Sequence, residues 1–159
     1  DTPESFALND DMPNFGTTGI AVDGQGYVYI TNNMSSSVVK YDPALPAGSR
    51  IVKSASVETP WDVTVAGGTV LVTDPAGVKG IVALDLDLNP LGSFSGSFGG
   101  PKRFLHGASG STDIYVIDEY TTVAPTNRLV YMDDISGAWW VTYGSTGSGV
   151  GQFNFFTLP

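Results

Sequence analysis

The sequence of 159 residues contains no cysteine and a single histidine, His106. Without cysteine there is no disulfide framework, no thiolate metal site and no thiol nucleophile. Because each chain supplies one imidazole, a metal centre built from several histidines of this chain is excluded as well. These two absences remove several common types of catalytic centre.

Positive charge is also scarce. Lys and Arg number 7 against 16 Asp and Glu, which gives a formal net charge of −9 at pH 7. Nucleic acids and anionic membrane surfaces are bound by clustered basic side chains, whereas Lys102 and Arg103 are the only adjacent basic pair in the sequence. No apolar run approaches the roughly 20 residues of a membrane-spanning helix. We therefore expect neither a nucleic-acid partner nor membrane insertion.

Composition and the first residue indicate a secreted protein. Lysine is rare, Gly, Ser and Thr are abundant, and the chain begins at Asp1 rather than Met. We therefore expect a processed product that is extracellular or periplasmic. Asn33-Met34-Ser35 fits the acceptor pattern for N-glycosylation, which makes Asn33 a candidate modification site.

Three short strings recur in the same order three times along the chain. They occupy 18–22, 27–32 and 38–42, then 60–65, 69–74 and 81–85, then 101–105, 113–118 and 129–133. Each is rich in β-branched and aromatic residues, as strands are, and turns rich in Gly, Asp and Ser separate them. A repeat of about 43 residues is typical of a four-stranded propeller blade.

The sequence therefore predicts an all-β fold, a β-propeller segment of three four-stranded antiparallel blades with almost no helix. The blades cover residues 12–56, 57–98 and 99–143, and residues 144–159 form a linker toward a next blade. The predicted strands are 18–23, 27–32, 37–42 and 50–56, then 61–66, 69–74, 80–86 and 91–95, then 102–108, 113–118, 128–133 and 138–143.

The repeat resembles that of the NHL-repeat propellers. The first unit carries Gly19-Ile20-Ala21-Val22-Asp23, Gly26-Tyr27-Val28-Tyr29-Ile30 and Val38-Val39-Lys40-Tyr41-Asp42, and residues 144–154 are similar to the family's Gly-rich Gln-Phe linker between blades. The resemblance covers nearly the whole chain. It is weakest in the third unit, where Arg103-Phe104-Leu105-His106 replaces Gly-Ile-Ala-Val. It implies a propeller ring, which in this family usually closes with about six blades.

Three blades are too few to close a ring, since propellers have roughly four to eight. The sequence stops where a fourth blade would begin, and the flanks of an open set of blades need a partner. Three alternatives follow. The chain is a fragment of a longer propeller, or copies of it pair into a closed ring or stack head to tail, or the fold is a compact β-structure other than a propeller.

The resemblance implies two alternative metal sites. Some related lyases hold zinc with several histidines around the central channel, and related lactonase-type propellers hold calcium there. His106 lies near an inner-strand position, but one histidine per chain does not make such a zinc site, so we expect an ordinary hydrogen-bonded histidine. Asp62 begins an inner strand and is the candidate calcium ligand. Apart from this possible calcium, we expect no cofactor.

Polar residues also recur at the end of each second strand, as Asn32, Asp74 and Asp118. A catalytic residue is not needed once per blade. We therefore expect these side chains to accept backbone N–H groups and to cap turns.

No complete catalytic constellation is present in the sequence, so the repeat architecture favours a non-catalytic extracellular module for binding or assembly. Propellers bind ligands through loops at the ends of the ring. The candidate ligand-binding residues lie at strand starts and in the 119–127 loop: Trp61, Asp62, Lys102, Arg103, His106, Glu119 and Tyr120. The expected partners are another copy of the chain or further blades, and a protein or carbohydrate ligand. Two alternatives stay open: a metal-dependent lyase or lactonase-like enzyme, and a self-assembling filament protein.

Overall fold

The computed structural model describes residues 16–76, 80–94, 98, 100–106, 113–119, 127–132 and 140–153, without the side chains of Lys102, Leu105 and His106. These residues form three four-stranded antiparallel sheets and one short parallel pair. No helix occurs among them, and so none that could cross a membrane. The predicted all-β fold with three four-stranded units is confirmed.

In each sheet the four strands lie side by side in chain order. Sheet A consists of β1 Thr17–Val22, β2 Val28–Asn32, β3 Ser37–Tyr41 and β4 Ile51–Ser56. Sheet B consists of β5 Val63–Ala66, β6 Thr69–Asp74, β7 Gly80–Asp85 and β8 Pro90–Phe94. Sheet C consists of β9 Pro101–His106, β10 Ile114–Asp118, β11 Arg128–Met132 and β12 Trp140–Tyr143. The observed and predicted strand ends differ by no more than two residues.

The three sheets pack face to face through the alternation of side chains along their strands. In β6, Val70 and Val72 point toward sheet A and join a core cluster with Tyr29. Leu71 lies between them, points toward sheet C and packs in a second cluster with Val116. Sheet B is therefore covered on both faces, which explains why β6 is buried along its whole length and reads as a continuous apolar run.

The first strands of the sheets lie together at the centre of the structure. β1 contacts β5, and β5 contacts β9. The fourth strands are the last in their sheets, and the side chains of β4 and β8 are mostly exposed. The sheets therefore extend outward from a common inner line of first strands, and this inner line brings the predicted site residues together.

Periodic polar side chains hold the backbone that enters each sheet. At the end of each second strand, an Oδ1 atom accepts an N–H from this entering segment: Asn32 from Gly16 at 3.2 Å, Asp74 from Thr59 at 2.8 Å and Asp118 from Gly100 at 2.8 Å. These side chains accept backbone N–H groups as predicted, but these donors belong to distant segments rather than to the following turn. Asn32 also accepts an N–H within its turn, from Ser35 at 3.3 Å. Their recurrence reflects the construction of the sheets.

The Gly-rich linker forms a compact loop that is closed by the parallel pair β13 Ser145–Thr146 and β14 Gln152–Phe153. The exposed side chain of Gln152 bridges this loop, since its Oε1 accepts the N–H of Gly149 at 2.9 Å. A Cβ on Gly147 would meet the same Oε1 atom, which lies at the end of a flexible side chain. The glutamine of the linker therefore contributes a hydrogen bond within the loop.

Candidate binding site at the inner strands

The candidate site lies where the first strands of the three sheets begin. A bulge interrupts the pairing of β1 between Thr17 and Ile20, and a similar irregularity occurs in the pairing of β9. The residues after the bulge pair with the centre of the second strand in all three sheets. In this register, Gly19 of sheet A, Asp62 of sheet B and Arg103 of sheet C hold equivalent positions. Two of these three residues, Asp62 and Arg103, are predicted site residues.

Asp62 connects sheet B to sheet C. Its carboxylate is largely buried, and its Oδ2 accepts the N–H of Phe104 in β9 at 2.9 Å. Its Oδ1 accepts the N–H of Val63 at 3.0 Å. Its own N–H donates to Oγ1 of Thr73 at 2.8 Å. Both carboxylate oxygens therefore have backbone donors.

Gly19 leaves the space that Asp62 occupies. A Cβ on Gly19 would lie 2.7 Å from Cα of Asp62 and 2.8 Å from the nitrogen of Val63. Real Cβ atoms do not approach other atoms this closely, so β1 and β5 reach their observed separation because position 19 has no side chain. The site thus depends on different residue types at equivalent positions of neighbouring sheets.

Arg103 reaches from sheet C back to sheet A. Its Nη1 donates to the carbonyl oxygen of Thr18 at 2.9 Å and lies 3.9 Å from Oδ1 of Asp62. The Arg103 side chain is half exposed, so the ion pair itself contributes little stability. Together, Asp62 and Arg103 connect the first strands of all three sheets.

A cavity of about 310 Å³ opens beside these residues. Ile20, Val22 and Phe104 are among the residues that surround Asp62, and polar atoms make up the larger part of the exposed lining. Ile20 and Val22 are 64% and 60% exposed, whereas Val63, the equivalent of Ile20 in sheet B, is covered by sheet A. The cavity therefore offers both polar and apolar contact surface next to one carboxylate that is already hydrogen-bonded.

The site as described contains no metal cage. Among the described residues, no group of three or more His, Cys, Asp or Glu side chains is placed to hold an ion. Asp62 alone would supply one ligand, and calcium needs six to eight oxygen atoms. The prediction of calcium at Asp62 stays a prediction.

Of the other predicted site residues, Trp61, Lys102 and Glu119 lie at the same end of the sheets as Asp62, whereas His106 ends β9 at the opposite end of sheet C. The N–H of Trp61 donates to the carbonyl of Thr73 at 2.9 Å, and Glu119 directly follows β10, where its N–H donates to Gly100 at 3.1 Å. Lys102 and His106 lie on β9, and their side chains are outside the described part of the structure. Tyr120 and most of the 119–127 loop also lie outside the described residues.

Asn33, the candidate glycosylation site, lies in the turn after β2. Its Nδ2, the atom that a glycan would modify, donates to the carbonyl oxygen of Pro60 at 3.2 Å. The amide therefore links sheet A to the segment entering sheet B. Glycosylation at this nitrogen stays a prediction.

Sequence analysis missed a polar junction between sheets A and B at the opposite end of β2. The hydroxyl of Tyr29 lies 2.8 Å from the carbonyl oxygen of Leu86 and 3.0 Å from Oδ2 of Asp23. Burial, followed by the hydrogen bond to Asp23, raises the pKa of Tyr29. Lys40 also crosses the junction and pairs with Asp87 at 2.9 Å. The sequence feature that could have indicated this junction is Lys40, because it is a lysine inside the otherwise apolar run 38–41.

The face of sheet C that points away from sheet B is here called the open face, and no described residue of another sheet covers it. Its side chains are Tyr115, Ile117, Leu129, Tyr131, Val141 and Tyr143. Val141 and Tyr143 are 45% and 49% exposed. The equivalents of Tyr115 in sheets A and B are Tyr29 and Leu71, and both are fully buried under the next sheet. The open face is therefore an apolar interface without its partner.

The outer face of sheet A is different. Ile30, Val39 and Tyr41 form a third buried cluster there, and they are no more than 4% exposed. Its inner strip, at Ile20 and Val22 of β1, is open, and so is Ser54 of β4, which pairs with Val39. The two outer faces of the three-sheet stack are thus unequal.

No protein-family model matches the chain, and no curated protein matches it. Solved structures do match. A structure of hydrazine synthase from Kuenenia stuttgartiensis is 18% identical with a TM-score of 0.64, and the match covers 79% of this chain and 37% of that one. A nidogen–laminin complex gives 14% identity and a TM-score of 0.65, over 86% of this chain and 51% of that one.

A third match is a virginiamycin B lyase from Staphylococcus aureus with quinupristin, at 16% identity and a TM-score of 0.62, over 91% of this chain and 45% of that one. The fold is that of a β-propeller. The chain spans about 37–51% of the length of these propellers. Since the neighbours include both a lyase and a member of a binding complex, their likeness to this chain concerns the fold and leaves the function to be argued from the residues.

Proposed function

We propose that the chain is a non-catalytic extracellular or periplasmic module of the NHL-repeat type, for binding and assembly. Its propeller is completed by further blades or by another copy of the chain. The observation that carries this proposal is the open face of sheet C, where Tyr115 occupies the position that is fully buried in the other two sheets.

The physical argument concerns exposed apolar surface. Burying a large apolar side chain contributes about 1.5–3 kcal/mol, and the open face presents six such side chains on one flat surface. Tyrosine and other aromatic residues are enriched at protein interfaces. A further sheet packed on the open face would remove this surface from water. Sheet B covers one face of sheet A in this way, and sheet C covers one face of sheet B.

The polar groups of the candidate site support a module without catalysis. Each oxygen of Asp62 accepts one backbone N–H group, and Arg103 donates to Thr18. These side chains connect strands, which is the role that a rigid scaffold requires. We propose no resident cofactor.

The proposal is tested by measuring mass in solution over a range of protein concentrations, together with metal content. We expect the isolated chain to associate. Tyr143→Lys on the open face should weaken this association, whereas Leu91→Lys, at an exposed position of β8 in the middle sheet, should leave it unchanged. A concentration-independent monomer would reject pairing between copies. Stoichiometric zinc or calcium, lost together with an activity in Asp62→Asn, would reject the non-catalytic function.

A further inference from the structure

The outer strands of neighbouring sheets meet differently at the two junctions. Between sheets B and C, three aromatic rings fill the space between β8 and β12. Trp140 lies 5.5 Å from Phe94 and 5.1 Å from Phe98, measured between ring centroids. Because the sheets diverge from their first strands, the outer part of a junction needs large side chains to fill it. This aromatic cluster meets that need.

The junction between sheets A and B has small residues at the equivalent positions. In sheet B, Phe94 pairs with Ile81, and the equivalent residue in sheet A is Ala55, which pairs with Val38. Across the junction, Pro90 pairs with Leu84 in the register that Trp140 has in sheet C. At the junction of sheets A and B, the methyl group of Ala55 therefore stands where Phe94 has a phenyl ring. The ring of Pro90 stands where Trp140 has an indole.

The result is a groove of about 500 Å³ along the outer part of this junction. Val82, Leu84 and Leu88 form its floor, and they belong to the core cluster that joins sheets A and B. Small residues form its walls, among them Ser54 and Ser93. None of the described residues that line the groove carries a charge, so the groove accepts a neutral apolar group in continuity with an existing interface.

The groove also lies beside a free strand edge. β4 is the last strand of sheet A, and no described strand pairs with its outer side. An edge strand offers N–H and C=O groups to which an extended peptide can add as a further strand. Alternate side chains of such a peptide point to the same face of the sheet, so one of them would lie over the groove.

We propose that this groove binds an extended segment of a partner protein, whose backbone pairs with β4 and whose aromatic side chain inserts between sheets A and B. The inference rests on the proposed binding function and specifies its partner. The aromatic ring would occupy the space that Phe94 and Trp140 fill at the neighbouring junction. The site is separate from the open face of sheet C and from Asp62.

The test uses two synthetic peptides, acetyl-Lys-Thr-Val-Trp-Val-Thr-Lys-amide and the same peptide with Ala in place of Trp. Binding to the whole chain is measured by titration calorimetry, and the location of binding by amide chemical shifts. We expect the tryptophan peptide to bind about tenfold more tightly or better, with shifts concentrated in β4 and β8.

Variants that fill the groove test whether the tryptophan side chain binds there. Ala55→Phe from one wall and Ser93→Phe from the other should each remove the preference for the tryptophan peptide. Ala47→Phe adds the same ring at an exposed loop position and should leave the preference intact. Circular dichroism verifies that each variant is folded, and two independent filling variants keep the test valid if one misfolds.

Equal affinity for the two peptides, no binding of either, or a preference that survives both filling variants would overturn the proposal. Free tryptophan amide binding as tightly as the peptide would also overturn it, because the strand edge would then have no part. Metal content and mass, recorded on the same samples, test the proposed function separately. A failed groove is therefore distinguishable from a failed binding module.

Discussion

Asp62 occupies the volume that a side chain on Gly19 would need, although the two residues hold equivalent positions in neighbouring first strands. Sheet B contributes the carboxylate of Asp62, and sheet A leaves room for it because Gly19 has no side chain. The same carboxylate then accepts an N–H from the third sheet. This arrangement makes the inner strands sensitive to single substitutions, and it can be tested directly.

Gly19→Ala should lower the free energy of unfolding by about 1–3 kcal/mol, the usual cost of inserting a methyl group into packed structure. The new Cβ would lie 2.8 Å from the nitrogen of Val63. Gly24→Ala is the matched control, because nothing lies within 4 Å of a Cβ there. Urea unfolding measures both variants, and an equal loss in the two would contradict the close approach of β1 and β5.

Asp62→Ala leaves the N–H of Phe104 without its acceptor and should cost about 1–3 kcal/mol of unfolding free energy. Asp62→Asn keeps one acceptor oxygen but places an NH2 group opposite the other backbone N–H, that of Val63 or Phe104, so it should also cost about 1–3 kcal/mol. Urea unfolding again provides the comparison. If both variants unfold like the unmodified chain, Asp62 does not connect the sheets, and a ligand-binding role becomes the better explanation.

Tyr29 predicts a loss of stability at alkaline pH. Its burial raises the pKa of the hydroxyl above the usual 10.0. Above pH 10 the unfolded chain releases this proton while the folded chain retains it, so the contribution to stability is complete below that pH and falls as the pH rises. Urea unfolding at about pH 8 and about pH 11 should show a smaller drop for Tyr29→Phe than for the unmodified chain. Equal drops would contradict the burial of this hydroxyl.

The two outer junctions should respond in opposite directions to changes in ring size. Phe94→Ala removes a ring from a filled junction and should cost about 3–5 kcal/mol. Ala55→Phe adds a ring to the open junction and should raise stability by about 1 kcal/mol through additional apolar burial. Thermal unfolding measures both. Destabilisation by Ala55→Phe would show that the groove does not accept a ring.

The strands were predictable because their strings repeat and because each string has strong β-propensity. Residues 69–74, for example, contain valine, leucine and threonine with no helical period. The structural role of Asp74 and Asp118 as acceptors of backbone N–H groups was predictable from their recurrence in each unit, although the segments that donate to them were not. Local chemistry and periodicity are thus sufficient for the sheets and their order.

Contacts between sheets were not predictable from local pattern. Arg103 donates to Thr18, 85 residues earlier in the chain, and no spacing along the sequence signals this bond. The difference between Ala55 and Phe94 acquires meaning only when the register of both sheets is known. Trp61, Asp62 and Arg103 were predicted to bind a ligand, and this stays a prediction; the structure places Asp62 and Arg103 3.9 Å apart.

Within the described chain, sheet B is the one sheet that packs against another sheet on both faces. An amide such as that of Leu71 can exchange its hydrogen with solvent only after a neighbouring sheet has moved away or the strand has opened. The middle sheet is therefore where native-state exchange should be slowest. A probe placed there would report the loosening of either neighbour, and so the cooperativity of the whole stack.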